Sequence, residues 1–148
     1  MDKVTRLKLE QLKSNDLAIE DPFLRRSSIG YCIGVQGVFS SSELHTNLSV
    51  LKDIHEEPRI TRGLFIRGFI RGTIMSGSMI GIEPIERNLH WLIENLPQYS
   101  ESIFMNEKEI KELLPPMQEL KNKGFLNPVT KILYKSGMKT TILKDLCG

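Results

Sequence analysis

The chain is poor in cysteine and tryptophan, has no unbroken apolar run, and contains one stretch without a single acid. Its two cysteines, Cys32 and Cys147, have no metal-ligand spacing and cannot form a disulfide framework, which favours free thiols in a reducing compartment. An intracellular, cytoplasmic protein is therefore expected. The most apolar stretch, Leu64 to Ile82, is interrupted by Arg67 and Arg71, and a charged residue costs a few kcal/mol at a bilayer centre. No membrane span is expected. The opening residues, Met1 to Glu10, carry charges where a secretion signal needs an apolar core.

Catalytic motifs are also missing. Gly72 and Gly77 have the gap of a phosphate loop, but Ser78 stands where a lysine must reach the terminal phosphates. No Gly-x-Gly-x-x-Gly fingerprint is present, and Gly77-Ser78-Met79-Ile80-Gly81 is one residue too long for a nucleophile elbow. Of His45, His55 and His90, only His90 has acids at helical spacing, Glu86 and Glu94, and no second ligand pair accompanies them. Neither a metal, a cofactor nor an enzymatic activity is expected.

What remains is 148 residues that are 40% hydrophobic, enough for one globular domain spanning 1–148. The formal charge of +2 comes from 20 basic and 18 acidic residues, so any basic surface must be local. It is local in two places. Residues 58–82 carry Arg59, Arg62, Arg67 and Arg71 with no acid, and residues 117–148 carry six lysines against Glu119 and Asp145.

Capping and periodicity read as a mainly α, compact multi-helix bundle, of orthogonal rather than long parallel build. Val4, Leu7, Leu9 and Leu12 trace a short opening helix. Asp21-Pro22 starts a second, with a turn near Ser27-Ser28 that Arg25 and Arg26 would cap. Ser40 with Glu43 has capping-box spacing and opens a helix over 41–57, closed by Pro58. Pro84 opens another over 84–96, packed on the previous one through Leu44, Leu48, Leu51, Leu89, Leu92 and Leu96. Asn106 and Glu109 cap a helix that Pro115-Pro116 ends, and Asn127-Pro128 begins the last, finished at Gly137.

Two segments stay open. Between Ile29 and Val35, apolar residues alternate with Gly30, Cys32 and Gly34, which fits a short strand or hairpin near residues 29–39 as well as a helix whose glycines admit another backbone. For 58–82, a helix packed on small residues is the first choice and a strand the second, because five glycines cost a helix about 1 kcal/mol each.

The arginine segment concentrates the functional signal. Its guanidinium groups need water, carbonyls, a distant acid or an anion, and Phe65 and Phe69 interleave with them. The leading expectation is a non-enzymatic binding or regulatory protein that engages another protein or a second copy of itself near this surface. The alternative is RNA or single-stranded nucleic-acid binding by Arg59, Arg62, Arg67, Arg71, Phe65 and Phe69 with Lys121, Lys123, Lys131 and Lys135. Against both stands the reading that the phenylalanines enter the core and the arginines pair with Glu56, Glu57, Glu83 or Glu86 at either end of the segment. Arg25-Arg26-Ser27-Ser28-Ile29 also resembles a basophilic kinase site, a short match that chance often produces.

Overall fold

Proline has φ preset for a helix and lacks the N–H that a first turn leaves unused, so Pro22 starts α1, Pro22–Phe39. A short helix α2, Ser42–Thr46, follows, and then come α3, Arg59–Gly77, α4, Ile82–Asn95, α5, Glu107–Asn122, and α6, Leu126–Lys135. The computed structural model describes residues 22–47, 54, 56, 59–95 and 107–135, and no strand occurs among them.

α1 and α3 form the centre. Gly30 and Gly34 lie against the Phe65 and Phe69 carbonyls, while Gly68 and Gly72 lie against those of Ser27 and Tyr31. Residue numbers rise together on the two helices, so they run parallel, and each contributes two glycines and two carbonyls. Glycine at these four positions removes the side chain that would hold the backbones apart, and Cα–H···O contacts of this kind recur between closely packed helices. The alternation at 29–35 is thus a helix, with its glycines on one face every fourth residue.

Phe65, Ile66, Phe69, Ile70 and Ile74 of α3 are buried and join Ile29 and Ile33, Leu44, Ile54, Ile85, Leu89 and Leu92, Leu113, Met117 and Leu120, and Val129, Ile132 and Leu133 in one hydrophobic cluster. Every helix contributes to it. Phe69 stacks on Trp91 with ring centroids 5.5 Å apart and planes 27° from parallel. At the same junction, Asn88 is wholly buried and its Nδ2 donates to the Gly34 carbonyl at 2.8 Å and to Thr73 Oγ1 at 3.1 Å.

Parallel neighbours also align their dipoles, which puts two partly negative carbonyl ends side by side. A cation reaches each. Arg87 Nη2 donates to the carbonyls of Gly37 at 3.0 Å and Val38 at 3.3 Å, and Lys123 Nζ donates to that of Ser78, just beyond α3, at 2.7 Å.

Several boundaries differ from expectation. α1 continues through Ser27-Ser28 without a turn, so Arg25 and Arg26 lie within it and not at its end. The helix expected over 41–57 ends at Thr46, where Asn47 Nδ2 donates to the Glu43 carbonyl at 2.7 Å; Leu48 and Leu51 lie outside the described residues, as do the opening helix, Leu96 and Gly137. α4 begins at Ile82, two residues before Pro84, which is harmless because a first turn does not use that N–H.

The largest correction concerns α5, which runs through Pro115-Pro116. Both prolines lie away from the core, exposed and half-buried, while Leu113, Met117 and Leu120 bury the opposite face. Packing on that face outweighs the lost hydrogen bonds. The helix stops instead at Gly124, φ 79°, where the Gly124 N–H reaches the Lys121 carbonyl at 3.1 Å and the Phe125 N–H that of Leu120 at 2.9 Å. This pair of bonds is a Schellman cap, and it demands the left-handed conformation glycine adopts freely.

Candidate functional site

The arginine segment becomes α3, and its side chains divide between core and seam. Phe65 and Phe69 are 0% exposed, so neither ring is available for stacking on a base. Arg59 begins the helix and its side chain lies outside the described residues, while Arg62 is half-buried.

Arg67 and Arg71 are one turn apart and meet two acids of α5 that are three residues apart. Arg67 Nε stands 3.3 Å from Oε1 of the buried Glu109. Arg71 donates through Nε at 3.0 Å and Nη2 at 2.6 Å to Glu112 Oε2, and through Nη1 at 3.4 Å to Ser27 Oγ. Its guanidinium also lies 5.5 Å from the Tyr31 ring centroid. Burial pushes the Tyr31 phenol above its ordinary value of 10.0, with Arg71 opposing and Glu112 reinforcing the shift. These arginines therefore join α1, α3 and α5. The sequence placed their partners at Glu56, Glu57, Glu83 or Glu86; the acids used by Arg67 and Arg71 are Glu109 and Glu112, whose spacing on one helix face was the available signal.

The glycine-lined apolar surface of α3 is likewise consumed inside the molecule, against α1. Among the described residues, the large apolar side chains that remain exposed lie elsewhere. Met79 is 76% exposed, Ile80 50% and Phe39 46%, with Leu114 at 41%. Tyr31 stands beside Gly72 in the parallel register, and eight residues further along the chain from each come Phe39 and Ile80, so Phe39, Met79 and Ile80 mark one end of the molecule. Arg87 and Lys123, which cap the two helices, occupy the same end, with exposed Glu83 and half-buried Glu119 nearby in the chain. Sequence reading passed over this end, although Met79-Ile80 between Ser78 and Gly81 is an apolar pair in a turn.

Lys121, Lys123, Lys131 and Lys135 are all exposed, on the end of α5, the following turn and α6. An open groove lies along Glu107, Lys108, Lys111 and Glu112. His90 and Glu94 are exposed and Glu86 half-buried; among the described residues no three of His, Cys, Asp and Glu gather in a metal-binding cluster. No helix of the described residues is long and apolar enough to cross a membrane. Compared with protein-family models, curated proteins and solved structures, the chain matches none.

Proposed function

We propose that this chain is a non-enzymatic binding protein that associates with a second copy of itself through the end marked by Phe39, Met79 and Ile80. The observation carrying this reading is the exposure of Met79 and Ile80 in a turn whose flanking backbone is held by Ser78, Gly77 and Lys123. A turn whose backbone is already fixed loses little backbone entropy on docking, and its exposed apolar side chains release water when covered. Glu83 and Arg87 beside them provide both charge signs, as a self-complementary contact requires.

The test is light scattering on the full chain over rising concentration at low and high salt. The expected result is a mass above that of one chain which survives high salt, because apolar contact is not screened, and which falls to the monomer in the Met79→Glu/Ile80→Glu variant. A monomer at every concentration, or an oligomer indifferent to that variant, overturns the reading.

A further inference from the structure

Between Glu119 and Asp145 the sequence carries six lysines and no acid. The structure describes four of them, Lys121, Lys123, Lys131 and Lys135, and all are exposed. Lys123 is partly committed, to the Ser78 carbonyl at 2.7 Å and to Glu119 at 3.7 Å, which fixes the corner of the α5–α6 turn. Lys131 and Lys135 are one turn apart on α6, so they share its outer face, while Val129, Ile132 and Leu133 bury the inner one.

We propose that these exposed lysines, with Lys131 and Lys135 on the outer face of α6 at their centre, bind the phosphate backbone of single-stranded nucleic acid without reading its sequence. An ammonium is a compact point charge that meets a phosphate from many directions, unlike the planar fork of arginine, and suits a backbone contact that carries no base information. Arg67 and Arg71 of α3 do not share the task, since they face Glu109 and Glu112. An anionic lipid surface fits less well, because the apolar side chains of α6 that would enter it are held in the core. Lys123 lies at the end proposed for self-association, whereas the test below alters only Lys131 and Lys135 and the earlier one only Met79 and Ile80, so the two proposals are tested separately.

The experiment measures binding of the full chain to a fluorescein-labelled oligouridine by anisotropy over a salt series, with polyglutamate as competitor. Affinity is expected to fall linearly on the logarithmic salt plot. Each phosphate contact to a single strand contributes a slope of about −0.7, so Lys131→Gln/Lys135→Gln should reduce its magnitude by roughly 1.4. Both lysines are exposed, and the thermal midpoint of the variant should match that of the parent. No binding at low salt, a slope unchanged in the variant, or displacement by polyglutamate as effective as by unlabelled oligouridine overturns the proposal.

Discussion

Gly68 on α3 rests directly on the backbone carbonyl of Ser27 on α1, whereas Gly63, on the same helix, has no atom of another described element within 4 Å of where a β-carbon would stand. One residue type thus has opposite roles five positions apart. Gly68→Ala must push two backbones apart, and overpacking of this kind costs about 1–3 kcal/mol or more. Gly63→Ala should instead raise stability by up to about 1 kcal/mol, the helix preference of alanine. Thermal midpoints of the two variants, moving in opposite directions, check the close approach of α1 and α3.

A third glycine is constrained by conformation alone. Gly124 has no neighbour among the described residues that a β-carbon would meet, but its φ is 79°, so Gly124→Ala should cost on the order of 1 kcal/mol through the left-handed backbone of the α5 cap. Denaturant midpoints for Gly124→Ala and Gly124→Asn test this. Asparagine, which tolerates that region, is expected to fall between alanine and the parent.

Glu112 accepts two bonds from one half-buried guanidinium, and charged hydrogen bonds contribute about 1.5–3 kcal/mol. A double-mutant cycle with Arg71→Met and Glu112→Gln should give coupling near 1 kcal/mol or above. The exposed Lys111–Glu107 pair, 3.4 Å apart, should give about 0.5 kcal/mol or less.

Tyr31 titrates above 10.0 in the folded protein, mainly because its phenol is buried. The native state therefore holds this proton more tightly than the unfolded chain. The resulting stability is complete below the unfolded value and is lost as pH rises through the folded one. Alkaline denaturation profiles of the parent and Tyr31→Phe should converge in shape below that window and diverge within it, the parent falling more steeply.

Leu92 is buried beside the junction of α1, α3 and α4, and Leu92→Ala should cost about 2–5 kcal/mol. Trp91, the chain's one tryptophan, is 8% exposed and stacked on Phe69, so its fluorescence reports unfolding directly. Equilibrium denaturation followed at that signal gives the difference.

The helical fold was legible because capping residues and apolar spacing act locally. Pro22, the Leu89–Leu92 face and Asn127-Pro128 each lie within two residues of where their helices begin or pack. Sequence failed where a distant element decides. Whether Gly30 and Gly34 belong to a strand or a helix depends on the Phe65 and Phe69 carbonyls arriving from another helix. Pro115-Pro116 read as a stop because the compensating burial of Leu113 and Met117 comes from tertiary contact. At the candidate site, Arg67 and Arg71 stood out for having no acid nearby in the chain, and the acids they face lie about forty residues away, farther than local pairing rules reach.

The parallel course of α1 and α3 also bears on the order of events during folding. No tight hairpin can join two parallel helices, because the chain must return the length of the pair between Phe39 and Arg59 before the second begins. The glycine contacts therefore link residues 35 to 41 positions apart, from Gly30 with Phe65 to Ser27 with Gly68. Such separations impose a loop-closure cost before any contact rewards it. During synthesis, α1 would leave the ribosome with its glycine face bare and acquire its cover only after most of α3 has been made.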